Sequence, residues 1–283
     1  MKNILFPTDF SQTAENAFVY AIHLAKALKA DLHVLHSYSM PVVSGMGMET
    51  SEVIQQVFEN VELTSFENFK DEAHQLRKIA QNEGLADVNL SFIFQEGDLI
   101  MNILEAISKE NIDFVVMGTN GASGFDKKIF GSNTLNTIRS IDIPILCVPH
   151  QAKFKGITRI GFTTLFREAD KQPLREILKI AEDFDAQVRC LHVIQNVKYE
   201  PVAETAKEWD QEFLSERLKF LLLESTGESI EEHIANFIHD FNIGFLGIVK
   251  RNQNFFERIV SSSLSKKLIS NLDVPLLIIK EGN

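Results

Sequence analysis

The chain of 283 residues contains the same pattern twice, and this repeat constrains its fold more than any other feature. Near the start, ILFPTDF at residues 4–10 aligns with IGFTTLF at residues 160–166, a shift of 156 positions. Near the ends of the two copies the shift is 131, which aligns IDFVVMG at 112–118 with IGFLGIV at 243–249. A deletion inside the second copy explains the difference. The predicted organisation is a first domain over 1–149, a linker over 150–156 and a second domain over 157–283.

Within the first copy, short apolar runs alternate with amphipathic helical patterns. Ala14, Phe18 and Leu28 belong to a set of apolar residues at three- and four-residue spacing, which is typical of a helix with one buried face. Ser11 precedes this helix as a candidate N-cap. The alternation predicts an α/β fold: two tandem doubly wound domains, each with a five-stranded parallel sheet flanked by helices. The predicted strands are 3–7, 31–36, 88–94, 112–117 and 143–148, and further helices are predicted at about 51–82 and 98–110.

Charge and composition exclude several classes of partner. The net charge is −11, and residues 1–150 contain 19 acidic against 10 basic residues, so no broad face could neutralise nucleic-acid phosphates. No apolar run approaches the roughly 20 residues of a membrane-spanning helix. Cys147 and Cys190 lie in apolar runs and predict buried, unpaired thiols. We therefore expect no nucleic-acid or membrane partner, and a cytoplasmic location because unpaired thiols suit a reducing compartment.

Four of the 14 glycines gather in one stretch, MGTNGASGFDKKIFGSNT at residues 117–134. Glycine weakens regular structure, so either a demanding backbone path or the close approach of a ligand should offset its cost. The stretch lies between the fourth predicted strand and a short helix that begins near Gly131 or Ser132. A strand, a glycine loop and a helix N-terminus together expose backbone N–H groups that attract an anion. A simple turn and a phosphate cradle both remain open at this point.

The spacing of these glycines differs from the common phosphate-binding motifs. Neither GxxxxGK[ST] nor a GxGxxG after the first strand is present. The actual pattern, Gly118-x2-Gly121-x9-Gly131-Ser132, resembles the universal stress protein family, whose nucleotide-binding members carry G-x2-G-x9-G-[ST] after the fourth strand. ILFPTDFS at the start, VLHS after the first helix and IPILCVP as a final strand are also similar to the family. The resemblance covers both copies and implies a fold of the adenine-nucleotide α-hydrolase type.

The resemblance implies a site for ATP or AMP in the first copy. Asp9 would end the first strand on the adenosine side of the cleft, although an aspartate just before a helix can also serve only as its cap. Ser37, expected directly after the second strand, would contact adenine through its backbone. The implied nucleotide-binding residues are Pro7, Thr8, Asp9, Ser37, Met117, Gly118, Gly121, Gly131, Ser132 and Asn133.

The phosphate side of the implied site falls in the glycine-rich stretch. By the resemblance, Gly118 and Gly121 would face the ribose and the α-phosphate. Gly131, Ser132 and Asn133 would hold the β- and γ-phosphates. Mg²⁺ would accompany ATP, coordinated mainly by phosphate oxygens rather than by a metal site of the protein.

The second copy lacks this pattern. Val249 and Asn252 stand at the positions of the first two glycines, the third is absent as well, and Leu165 replaces the aspartate. We expect no nucleotide there and a structural role instead. In the family, domains pair through their last strands, which implies an internal pseudo-dimer of the two domains and allows a homodimer. Lys250, Arg251 and Arg258 could hold a simple anion, but a solvated face is favoured.

Three functions fit the sequence. The first is a nucleotide-responsive stress regulator with an unknown protein partner, which is at most a weak ATPase because no general base is evident. The second is a nucleotide-independent protein-interaction module, in which the glycines serve only the turn. The third is an enzyme of the α-hydrolase type that cleaves ATP between its α- and β-phosphates, although no pocket for an acceptor substrate can be recognised.

Overall fold

A computed structural model describes residues 2–40, 51–119, 130–194, 202–225, 227, 229–251 and 274–282. Strands and helices alternate through the described chain. The strands are β1 (Lys2–Pro7), β2 (Ala30–Tyr38), β3 (Leu90–Glu96), β4 (Phe114–Gly118), β5 (Ile145–Val148), β6 (Arg159–Thr163), β7 (Gln187–Ile194), β8 (Leu218–Glu224), β9 (Phe245–Lys250) and β10 (Leu276–Lys280). The helices are α1 (Gln12–Leu28), α2 (Ser51–Asn82), α3 (Leu99–Lys109), α4 (Ser132–Ser140), α5 (Lys171–Asp183), α6 (Val202–Phe213) and α7 (Ile230–Asp240).

These ten strands form one sheet in the order β3-β2-β1-β4-β5-β10-β9-β6-β7-β8. Neighbours are parallel within each half, and the halves meet where β5 and β10 pair antiparallel, with Leu146 opposite Leu277. The strand order of the first half is repeated in the second. In both halves the chain reverses its direction across the sheet, between β1 and β4 and between β6 and β9. Ligands of open α/β sheets bind at such switch points, beyond the carboxyl ends of the strands.

Helices cover both faces of the sheet, which explains why its strands are continuous apolar runs. Along β1, Phe6 packs into the layer that contains α1 and α2, whereas Leu5 packs into the layer that contains α3 and α4. Phe6 and Phe18 of α1 are fully buried, with ring centroids 5.5 Å apart. The predicted α/β fold, with a mostly parallel sheet flanked by helices, is therefore confirmed.

The bounds of the strands differ from the prediction at their starts. β3, β4 and β5 each begin two residues later than expected. The residues before them either close turns or lack a backbone N–H donor. Val88 donates its backbone N–H to Leu85 O at 3.2 Å, and Ile112 donates to Ile107 O at 3.1 Å. Pro144, before β5, has no N–H to donate.

Helix α2 has the predicted bounds and spans 32 residues. It buries Phe69, Leu76 and Ala80 against the sheet, while Leu63 and Phe66 are exposed. The other exposed residues of α2, among those whose side chains the structure describes, are polar. In the described parts of the chain, no helix is both long and apolar enough to cross a membrane.

The predicted linker 150–156 lies against α1. Ala152 is fully buried, and the Phe154 ring stacks on His23 at 3.8 Å between centroids and meets Tyr20 edge-on at 5.2 Å. Burial raises the pKa of Tyr20 to about 12. The connection between β5 and β6 is therefore packed onto the first half rather than spanning open solvent.

Candidate functional site

Two of the predicted site segments meet at the switch point of the first half. β1 ends at Pro7 and β4 ends at Gly118, and these two strands are direct neighbours. Thr8 is buried just beyond β1, whereas Asp9 is exposed. Met117 lies inside β4 and is buried. The sheet thus brings the first-strand and fourth-strand parts of the predicted site to one edge.

The third predicted site segment, at the start of α4, is joined to this edge of the sheet by hydrogen bonds. The backbone N–H of Gly131 donates to Thr119 O at 2.6 Å. The Thr134 hydroxyl donates to Gly118 O at 3.0 Å and lies 3.2 Å from Thr119 O. The chain therefore leaves β4 and returns to α4 at nearly the same point. Gly121 falls between these ends and outside the described residues.

The start of α4 has backbone N–H groups that lack partners within the helix. Its N-cap is Gly131, whose backbone is extended (φ −63°, ψ 161°) and which has no side chain to accept from the first turn. Ser132 and Asn133 follow and are exposed. The first N–H groups of a helix have no partner within the helix, and the helix dipole makes this end positive. This end of α4 is suited to an anion.

A tight corner joins β1 to α1 and carries Asp9. The Thr8 hydroxyl accepts from the N–H of Phe10 at 3.0 Å, and Phe10 has a left-handed backbone with φ 57°. Asp9 Oδ1 accepts from the N–H of Ser11 at 3.1 Å, and Ser11 Oγ accepts from the N–H of Ala14 at 3.3 Å. Ser11 is thus the N-cap, as predicted, and Asp9 supports the corner before it. This local role and a contact with a ligand do not exclude each other.

In each half, a histidine on the second strand bonds the corner that follows the first strand. His36 Nδ1 lies 2.9 Å from Thr8 O and must donate, because a carbonyl oxygen can only accept. His192 Nδ1 makes the same bond to Thr164 O at 2.9 Å. The His36 ring also packs on Phe10, with centroids 4.8 Å apart. Since both halves have this bond, at positions that the 156-residue shift aligns, it supports the backbone.

Ser37 lies within β2 rather than after it, because the strand continues to Tyr38. Its hydroxyl accepts from Nδ2 of the buried Asn102 at 3.0 Å. Leu35 O accepts from the N–H of Thr8, so the backbone of Leu35 faces β1, and strand alternation turns the backbone of Ser37 to the same side. β1 has already ended at this level. The backbone of Ser37 therefore faces the space beyond β1, although the predicted position after the strand is wrong.

Gly118 has a packing reason to be glycine. A Cβ at this position would lie 3.0 Å from Thr13 Cγ2 and 3.3 Å from Thr13 O. A side chain here would therefore require the first turn of α1 to shift by a few tenths of an ångström. No local pattern of residues indicates this contact, because it depends on how α1 lies across the sheet.

The equivalent edge of the second half contains a buried ion pair. One guanidinium nitrogen of Arg251 donates to both oxygens of Asp170, at 2.7 and 2.8 Å. The Thr164 hydroxyl and the N–H of Leu165 also donate to Asp170, each at 2.9 Å. Asp170 is fully buried and Arg251 is 8% exposed, so the solvated face expected for Arg251 is wrong. These side chains occupy the switch point between β6 and β9.

The first half of the chain matches a known protein family. The model of the universal stress protein family matches residues 1–149. Universal stress protein MJ0531 of Methanocaldococcus jannaschii is 27% identical over 153 residues, which cover 54% of this chain and 84% of that protein. Universal stress protein MJ0577 of the same organism is 30% identical over 162 residues, which cover 52% of this chain and 94% of that protein.

The fold of the whole chain also has a counterpart among solved structures. The crystal structure of a universal stress protein from Archaeoglobus fulgidus matches with a TM-score of 0.69 at 18% identity, covering 99% of this chain and 97% of that one. This likeness shows a shared fold. Since the family match spans more than half of the sequence, the chain belongs to the universal stress protein family.

Proposed function

We propose that the first half binds an adenine nucleotide, ATP or AMP, and that the protein acts as a nucleotide-responsive stress regulator. The observation that carries this proposal is the joining of β4 to α4. The two ends of the G-x2-G-x9-G-S pattern are held together by the hydrogen bond from Gly131 to Thr119 at the switch point. Asp9 lies at the same edge, one strand away.

The phosphates would bind at the N-terminus of α4. Gly131 presents its backbone without a side chain, and the exposed Ser132 and Asn133 add a hydroxyl and an amide. An anion at a helix N-terminus typically gains about 0.3–1 kcal/mol from the helix dipole, and more when partly buried. Several backbone N–H donors and the Ser132 hydroxyl would add hydrogen bonds to this attraction.

The adenosine would lie over the carboxyl ends of β1 and β2. Asp9 provides a carboxylate at the end of β1, where it can accept from ribose hydroxyls. The backbone of Ser37 faces the space beyond β1 and can bond the edge of the base. Pro7 and Thr8 form the floor between them, and Thr8 is fixed by His36.

A magnesium ion would be held by the nucleotide more than by the protein. In the described residues, no three His, Cys, Asp or Glu side chains group closely enough to hold a metal. Mg²⁺ commonly keeps waters and binds through substrate phosphates. Its role here would be to neutralise the phosphate charge beside Asp9.

The Gly131→Val variant tests the proposed cradle. Valine tolerates the extended backbone of Gly131, so the fold should be retained, whereas the branched side chain would cover the donors of α4. Its melting temperature should stay near that of the wild type while calorimetric binding of ATP is lost. Ser140→Ala, an exposed change at the far end of the same helix, is the matched control. Wild-type affinity in Gly131→Val would refute the cradle.

One observation favours a second function, the nucleotide-independent interaction module. The contact with Thr13 favours glycine at position 118 whether or not a ligand binds. A motif kept only for packing would leave the nucleotide-stripped chain without heat of binding for either ATP or AMP. That outcome would make the interaction module the better explanation.

A further inference from the structure

A lysine of the second half bonds a helix of the first half. Lys250, the last residue of β9, donates from Nζ to Ile138 O at 2.7 Å and to Ile141 O at 2.9 Å. These carbonyls belong to the C-terminal end of α4. The bonds cross from one half of the sheet to the other, between residues that are more than a hundred positions apart.

The position of Lys250 matches what a helix C-terminus needs. The last carbonyl groups of a helix have no partner within the helix, and this end of its dipole is negative, so an ammonium group is stabilised there. Burial lowers the pKa of Lys250, and the nearby charges are the Asp142 carboxylate and the Lys280 ammonium. Asp142 forms its ion pair with Lys280, at 2.9 Å. Lys250 is thus held chiefly by backbone carbonyls.

Lys250 is also held in place by the second half, to which it belongs. Arg251, the next residue, forms the buried ion pair with Asp170 before α5. The core of the second half is therefore connected through Arg251 and Lys250 to the C-terminal end of α4. The other end of the same helix is Gly131 and Ser132, about 13 Å away at 1.5 Å per residue.

We propose that Lys250 is a positioning residue for α4, through which the second half sets the affinity of the first half for its nucleotide. This inference rests on the proposed function, since it requires phosphates at the N-terminus of α4. Helix α4 is short, so we expect its two ends to move together, and Thr134 bonds its first turn to Gly118 at the candidate site. Any coupling is reciprocal: if Lys250 favours the bound position of α4, a bound nucleotide strengthens the bonds of Lys250.

Lys250→Met and Lys280→Met form a matched pair for the test. Both remove an ammonium from paired positions of neighbouring strands near the end of α4, but only Lys250 bonds the helix carbonyls. We expect Lys250→Met to weaken ATP binding by about 5-fold or more, a typical coupling between sites, and Lys280→Met to leave it within 2-fold. Lys250→Arg, which keeps a donor, should fall between the wild type and Lys250→Met.

A second readout uses the wild-type chain and does not depend on the folding of a variant. The ammonium resonance of Lys250 in a ¹⁵N-labelled sample, assigned through Lys250→Arg, should shift when ATP is added, and that of Lys280 should not. If ATP binds while the Lys250 resonance stays unmoved and Lys250→Met keeps its affinity, the coupling is refuted and nucleotide binding stands. If the wild type binds neither ATP nor AMP, the proposed function fails and this inference fails with it.

Discussion

Gly118 lies against Thr13 so closely that a Cβ on the glycine would come within 3.0 Å of Thr13 Cγ2 and 3.3 Å of Thr13 O. One glycine of the G-x2-G-x9-G-S pattern thus has a packing role between β4 and α1. Gly131, in contrast, has an extended backbone that other residues can adopt. The two glycines should therefore respond differently to substitution.

Gly118→Ala should destabilise the fold. The added methyl group would press on the backbone of Thr13, which cannot move without shifting α1, and overpacking of this kind typically costs about 1–3 kcal/mol. Urea denaturation measures the change in free energy of unfolding. Gly131→Ala is the matched control and should stay within about 0.5 kcal/mol. Equal stability of Gly118→Ala and the wild type would mean that α1 accommodates the methyl group.

The pair of Arg251 and Asp170 should carry a large share of the stability of the second half. Arg251→Met leaves Asp170 buried without its cation, and breaking such a pair typically costs about 3–5 kcal/mol. The double variant Arg251→Met, Asp170→Asn removes the charge as well and should unfold at a higher urea concentration than Arg251→Met alone. A double variant that is no more stable than Arg251→Met would show that the charge on Asp170 is not the cause.

Much of the fold could be predicted from local pattern. The helical stretch predicted at about 51–82 matches α2, and the N-cap Ser11 marked the region where α1 starts. The bounds of the strands were less certain, because a turn that closes at Val88 or Ile112 does not alter the apolar pattern. The predicted end of β2 was two residues too early, because Ser37 and Tyr38 still pair with β3.

The contacts of the candidate site could be predicted only in part. Glycine spacing located the ends of the loop, and the strand order brings them to Asp9. The contact between Gly118 and Thr13, the pairing of Arg251 with Asp170 and the bonds of Lys250 depend on packing between distant parts of the chain. No local pattern indicates them, although the 156-residue shift did align His36 with His192.

Tyr20 should have the highest pKa of the tyrosines whose surroundings the structure describes. Burial raises its pKa from 10.0 to about 12, so the folded chain keeps this proton while the unfolded chain loses it. The unfolded state therefore binds fewer protons between pH 10 and 12, and stability falls as the pH rises through this window. An alkaline titration of phenolate absorbance should lose its last step in Tyr20→Phe. A wild-type Tyr20 that titrates near 10 would contradict its burial behind Phe154.

The two thiols should be inert in the folded protein. Cys147 and Cys190 are unpaired and fully buried, and burial raises the pKa of both, so almost no thiolate forms at neutral pH. Ellman's reagent should react with neither thiol in the native chain and with both after denaturation. Rapid reaction of the native protein would mean that β5 or β7 opens readily.

The most direct test of the central claim is a calorimetric titration of the nucleotide-stripped wild-type chain with ATP and Mg²⁺. We expect one nucleotide per chain, because the first half has the glycine pattern and the second half has its switch point filled by Arg251 and Asp170. Two nucleotides per chain would mean that the second half also binds. No binding of either ATP or AMP would contradict the proposed function.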